Sequence, residues 1–216
     1  AKPEHQKAVL NRLLKNIAKD REMHVYGGIF TAQAAWELMP QTGYMDLAYR
    51  VLSNDTYPGY GFMLKSGATT VWERWTDGDS HIHHFLGFID NLLTRHVAGI
   101  QSDLSEPGYK NIIFEPKFVD AVDHAEYTYD SIHGPVSINW KRESQGVVTI
   151  DLSIPANCTG DLVLPAHVAK QLKIDGRVQT LKDYRLEADS NVVVFPKRKH
   201  IRLPSGTHRV SVKALR

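Results

Sequence analysis

The apolar residues change their spacing near Gln101, and no fold built from one kind of secondary structure accommodates both halves of the chain. Val9, Leu10, Leu13, Leu14 and Ile17 recur at helical intervals, which predicts an amphipathic helix over about 4–18. Met23-His-Val-Tyr-Gly-Gly28 interrupts it. A second helix is expected from about Phe30 to Met39, ended by Pro40 and Gly43, and a third from about Met45 to Asn54. After a short piece at Gly61 to Lys65, the longest helix is expected to start at Ser80 as N-cap and to carry Phe85, Ile89, Leu92, Leu93, Val97 and Ile100 as one stripe.

Beyond Ser102-Asp-Leu-Ser-Glu-Pro-Gly108 the pattern alternates in short runs. Strands are expected at about 111–118, 125–131, 136–142, 147–154, 161–164, 191–195 and 208–212, joined by turns such as His133-Gly134-Pro135 and Pro155-Ala-Asn157. Seven or more closely spaced strands make a sandwich or barrel, with Trp140 in its core. The expected organisation is therefore a helical domain, residues 1–103, followed by an all-β domain, residues 104–216.

Composition narrows the partners. Among 216 residues, 26 basic and 24 acidic side chains are interspersed for a net charge of +2, which offers no basic stripe to nucleic acid. The single cysteine, Cys158, cannot form an intrachain disulfide. No apolar run suits a bilayer and Ala1-Lys-Pro-Glu-His-Gln-Lys7 has no signal-peptide core, so a soluble chain without a membrane partner is expected, its compartment left open.

Gly67-Ala-Thr-Thr-Val-Trp-Glu-Arg-Trp75 is the stretch with chemistry in it. Glu73 stands between Trp72 and Trp75; indole faces suit the C–H side of a sugar, and a carboxylate among them can take a proton from water. The same residues also fit a helix start, with Thr69 or Thr70 as N-cap and Glu73 completing a capping box with Thr70. Both readings stand on these nine residues. The Gly- and aromatic-rich run before them, with Tyr57, Tyr60 and Phe62, suits a loop lining a pocket. Asp77 and Asp79 beside Gly78 read as turn formers. His81, His83 and His84 offer a single helical pair, at 81 and 84, so no metal site is expected.

Asp46-Leu-Ala-Tyr-Arg-Val-Leu, Tyr57-Pro-Gly-Tyr-Gly-Phe-Met, the nonapeptide at 67–75 and His83-His-Phe-Leu-Gly87 leading to Ala98-Gly-Ile together resemble the last part of the catalytic domain of bacterial α-L-rhamnosidases. Pro107-Gly-Tyr-Lys, Tyr129-Asp-Ser-Ile-His-Gly-Pro-Val-Ser-Ile-Asn-Trp140 and Ile154-Pro-Ala-Asn resemble the β-domain that follows it in that family, in the same order.

This resemblance implies part of an (α/α)6 toroid followed by an antiparallel β-sandwich, an inverting glycoside hydrolase without cofactor or catalytic metal, and terminal α-L-rhamnosides as substrates. It implies Glu73 as general base and His83 as a sugar contact. Trp75 is the best candidate for a sugar-facing ring, with Trp72 half-buried beneath Glu73 and with Tyr60 and Tyr26 as weaker candidates. The family's loop between glutamate and histidine is longer than here, where it ends Ser80-His-Ile-His83, which leaves the outer subsites unassigned. Its general acid lies in an Asp- and Arg-rich segment with no counterpart in this chain. About four long helices are well under half a toroid, so a fragment lacking an N-terminal catalytic part, or a sector covered by a second chain, is expected; the opening without a start Met is compatible with an internal cut. Alone, the chain is expected to be inactive. Two other readings fit the same residues: a carbohydrate-binding or scaffold protein whose β-domain makes the contacts, and a toroidal glycosidase for a different sugar.

Overall fold

The computed structural model describes residues 1–25, 27–165, 172–184 and 196–213. They divide into two compact units: residues up to Leu92 with Pro196 form the first, and the described residues from Leu93 to Tyr184 and from Lys197 onward form the second. Within the second unit the indole Nε1 of Trp140 donates to the carbonyl of Val97 at 2.8 Å, which ties that residue to the sheets. No helix among the described residues is long and apolar enough to cross a membrane.

In the first unit, α1 (Pro3–Lys15) has proline in its first turn, where a missing N–H costs nothing, and runs into a π-helical turn, Asn16–Asp20. Leu10 and Ile17 are its buried contacts. Helix α2 (Ile29–Gln41) buries Ala32, Ala35, Trp36 and Met39, one face at helical spacing, and runs on to Gln41 through Pro40, expected to end it, at the loss of the one amide bond that position would make to the Trp36 carbonyl. Helix α3 (Met45–Leu52) buries Met45, Ala48 and Val51. Helix α4 (Tyr60–Lys65) is a short turn.

The long helix expected from Ser80 is absent. The chain from 68 to 83 is non-helical; a 3-10 turn, His84–Leu86, then a single α-turn, α5 (Ile89–Asn91), and a π-helical stretch, Leu92–Ala98, follow, and Ile100 already lies in a strand. The N-cap is His83 rather than Ser80. The backbone N–H of His83 donates to the Val71 carbonyl at 2.9 Å, a long-range bond that local periodicity does not reveal.

The second unit holds two sheets. One contains β1 (Ile100–Ser102), β2 (Asn111–Phe114), β6 (Thr159–Pro165), β10 (Arg198–Leu203) and β9 (Lys182–Tyr184), in the order β1-β2-β6-β10-β9. The other contains β3 (His124–Ser131), β4 (Gly134–Arg142), β5 (Val147–Ile154), β11 (Gly206–Lys213), β7 (Leu172–Ile174) and β8 (Arg177–Val178), in the order β3-β4-β5-β11-β7-β8. The sheets form a sandwich: alternation along β4 and β5 turns Val136, Ile138, Trp140, Val148, Ile150 and Leu152 inward. The layers approach so closely at Gly160 on β6 that an added Cβ would stand 2.7 Å from Ile154 Cδ1 on β5.

Among the described strands pairing is antiparallel, as expected of the sandwich, except that β2 runs parallel to β6. Strand β2 stops at Phe114, short of 118: the Glu115 amide still reaches the Gly99 carbonyl, one step past the Ile100–Phe114 pair, and Pro116 then has no N–H to carry the pairing on. The strand expected at 191–195 lies outside the described residues. Strands β1, β7, β8, β9 and β10 were not legible in the alternation; the first four have three residues or fewer.

Candidate active site

The site is built on two backbone devices in the helical unit. The first is the turn that launches α4. His24, itself buried, lies 3.0 Å through Nε2 from the Thr56 hydroxyl, and the Asn54 amide donates to the Met23 carbonyl at 3.2 Å, which fixes the segment 54–56. Gly61 is required against it, since a Cβ there would stand 2.6 Å from the Asn54 carbonyl oxygen. Tyr60 is thereby held inward, 7% exposed, and its hydroxyl donates to the Leu86 carbonyl at 2.5 Å. Burial pushes its phenol well above the usual range, so the hydroxyl stays a proton donor.

The second device is the doubled-back loop 70–83. Glu73 N–H donates to the Ser80 carbonyl and His83 N–H to the Val71 carbonyl, both at 2.9 Å, and the Thr70 hydroxyl donates to the His81 carbonyl. Arg74 and Asp79 form an ion pair at 2.7 Å near the tip, and Asp77 pairs with His81 at 2.7 Å. These contacts exclude the capping-box reading of the nonapeptide. A capping box requires the Glu73 amide to donate to the Thr70 hydroxyl; instead each has a partner on the opposite limb of the loop, and no helix begins there. The carboxylate of Glu73 is left free of its own backbone, with its side chain 34% exposed and Oε1 4.0 Å from His83 Nε2.

The neighbours of Glu73 are partly as expected. Trp72 is 4% exposed, more deeply buried than expected, and stacks on the His81 ring with centroids 5.2 Å apart. Trp75 is half-buried and meets the Tyr60 ring edge-on at 5.2 Å; Tyr60 in turn meets Trp36 at 5.9 Å. His83 is 20% exposed, accepts the Phe85 amide through Nδ1 at 3.3 Å, and lies against the parallel ring of His84. Tyr26 lies outside the described residues. Glu73, Trp75, Tyr60 and His83 thus belong to one constellation in which the exposed chemistry is a carboxylate, an imidazole and an indole. Asp79 is held by the Arg74 guanidinium and Asp77 by the His81 ring. Sequence reasoning missed the part played by His81, which carries the Trp72 ring; its four-residue spacing from Asp77 was the available signal. Among the described residues no three His, Cys, Asp or Glu side chains are placed to hold a metal ion.

Two family models match the chain in succession: the bacterial α-L-rhamnosidase 6-hairpin glycosidase domain over residues 1–97, and the bacterial α-L-rhamnosidase C-terminal domain over residues 99–179. An α-L-rhamnosidase of Streptomyces avermitilis is 30% identical over 96% of this chain and 20% of its own length, and one of Alteromonas sp. is 23% identical over 85% of this chain and 21% of its own. The chain therefore spans about a fifth of the length of these curated relatives. Among solved structures, an α-L-rhamnosidase from Dictyoglumus thermophilum superposes with a TM-score of 0.79 at 29% identity, covering 94% of this chain and 23% of that one. The Streptomyces avermitilis α-L-rhamnosidase complexed with L-rhamnose superposes with a TM-score of 0.78 at 27% identity, covering 96% of this chain and 20% of that one.

Proposed function

Because the chain belongs to the bacterial α-L-rhamnosidase family, we propose that it supplies the C-terminal part of an inverting α-L-rhamnosidase and contributes the general base, Glu73. Inversion needs a carboxylate that takes a proton from water while that water's oxygen bonds to the anomeric carbon. A carboxylic acid on the opposite face of the ring protonates the leaving oxygen, the two carboxyl groups standing about 6.5–9.5 Å apart. Glu73 provides the first group. The acid would come from a part of the enzyme outside these 216 residues.

The observation that carries this reading is the free carboxylate of Glu73, released from capping by the Glu73–Ser80 backbone bond and facing an imidazole at 4.0 Å. Trp75 and His83 are the proposed sugar contacts, the first through its indole face and the second through Nε2–H. Trp72 and Tyr60 act from behind, bracing the loop and the Trp75 ring, and Tyr26 remains a proposed contact. The substrate class, terminal α-L-rhamnose, is supported by the relatives' names and by the neighbour solved with L-rhamnose.

The test is Glu73→Gln in the full-length enzyme, assayed on an aryl α-L-rhamnoside with the anomer of the first product read by NMR. Loss of about 10³-fold in kcat with KM nearly kept supports the role; near-normal turnover, or a product of retained configuration, removes it. The isolated 216-residue chain should hydrolyse nothing measurable. Turnover like that of the whole enzyme would mean that the acid lies within these residues.

A further inference from the structure

The sandwich carries a concavity of about 460 Å³ on the outer face of the sheet β3-β4-β5-β11, remote in sequence from Glu73. Alternation turns the large residues of these strands inward, so the outer positions would ordinarily carry long charged side chains. Register instead aligns short hydroxyls: Thr128 opposite Ser137, Ser137 opposite Ser153, and Ser153 opposite Thr207. Two residues along each strand, a second rank crosses the sheet, Glu126 opposite Asn139, Asn139 opposite Asp151, and Asp151 opposite Arg209. In the hydroxyl rank Ser137 and Ser153 are half-buried, and Thr128 and Thr207 at its ends are exposed. The second rank is a wall, knit by Arg209 on Asp151 at 2.7 and 3.0 Å and by Asn139 reaching Glu126 at 3.5 Å.

Chemistry excludes most occupants. Arg209 is the one permanent cation lining the groove and its guanidinium is held by Asp151, so a phosphate, a sulfate or nucleic acid meets no free positive charge. Strands β4 and β5 are paired on both sides and cannot add a peptide strand. Ile138 and Leu152 turn their side chains into the core and give an apolar ligand no pocket. A row of groups that both donate and accept, beside planar carboxylate and amide groups, matches a neutral polyol. We infer that this groove binds a short stretch of neutral oligosaccharide through the hydroxyl rank Thr128–Ser137–Ser153–Thr207 and the wall formed by Asn139 and Asp151. The rank spans three strand spacings, roughly 14 Å, enough for more than one sugar ring. No Trp, Tyr or Phe lines the groove, whose one ring is the His208 imidazole, so the contact rests mainly on hydrogen bonds and a Kd of about 1 mM is expected. The site is independent of the role of Glu73.

The test is a ¹H–¹⁵N titration of the 216-residue chain with neutral rhamnose-, glucose- and galactose-based di- to tetrasaccharides, up to about 10 mM. At least one series should shift the amides of Ser137, Asn139, Asp151 and Ser153 saturably. Ser153→Leu should remove those shifts and Ser153→Thr should keep them. If the Leu variant loses its dispersed spectrum, Asn139→Ala takes its place, with a Kd raised about tenfold expected. Absence of shifts at these amides with every oligosaccharide, shifts that survive Ser153→Leu or are unchanged in Asn139→Ala, or a stronger response to a sulfated oligosaccharide of the same length would each overturn the inference.

Discussion

Nδ1 of His83 accepts the amide of Phe85 at 3.3 Å, and Nε2 of the same ring stands 4.0 Å from Oε1 of Glu73. A nitrogen that accepts an N–H carries no proton of its own, so the backbone selects the Nε2–H tautomer and points a donor at the carboxylate.

His83→Asn separates the two duties of this ring. Its amide oxygen can still accept from Phe85, whereas nothing replaces Nε2. In the full-length enzyme kcat/KM should fall about 10- to 100-fold with the melting temperature nearly unchanged. His83→Leu should lose the same activity and about 1 kcal/mol of stability besides. Equal destabilisation by the two variants would show that the Phe85 contact does not matter.

Tyr60→Phe removes the donor to a buried carbonyl. The Leu86 oxygen then has no partner in place of the hydroxyl, and chemical denaturation should report a loss of about 1–2 kcal/mol. No change in the midpoint would mean that water reaches that carbonyl.

Gly61→Ala forces a methyl to within 2.6 Å of the Asn54 carbonyl oxygen and should cost about 1–3 kcal/mol by displacing the turn before α4. Gly78→Ala at the loop tip meets nothing within 4 Å and should cost less than about 0.5 kcal/mol. The pair, compared by urea midpoints, isolates the close approach from any general effect of replacing glycine.

Stability should fall in acid because of two carboxylates in the sandwich. Burial works to raise the carboxyl of Asp161, but hydrogen bonds from Arg202, Asn111 and His200 outweigh it; for Glu115 burial is likewise outweighed, by the charges of Lys117 and Arg198. Both are held below their ordinary values. The unfolded chain therefore binds more protons in acid than the folded one. The stabilisation is complete above the unfolded values, about 4, and is lost as pH drops below them toward the lowered folded values. Urea midpoints should change little between about pH 7 and pH 5 on account of these groups and fall steeply below about pH 4. Asp161→Asn should cost about 1–3 kcal/mol at neutral pH, since the Arg202 left behind is more than half exposed, and flatten the acid slope; an unchanged slope would exonerate Asp161.

Alternation along a single segment was enough to place strand β5, expected and found at Val147–Ile154, and helical spacing placed α2 and α3 within a few residues. Such patterns are local, because a side chain's direction follows from its position in a 3.6- or 2-residue period, whatever lies elsewhere. The same reasoning failed over 80–100. Phe85, Ile89 and Leu92 keep a helical interval, yet the His83 amide is taken by Val71 and the Tyr60 hydroxyl takes the Leu86 carbonyl, bonds that arise only when distant segments meet. For Glu73 the nine residues around it contained two futures, cap or free carboxylate, and the partner of one backbone amide, Ser80, excluded the cap. The parallel pairing of β2 with β6 and the two polar ranks across β3, β4, β5 and β11 are likewise properties of register between strands, which no strand carries within itself.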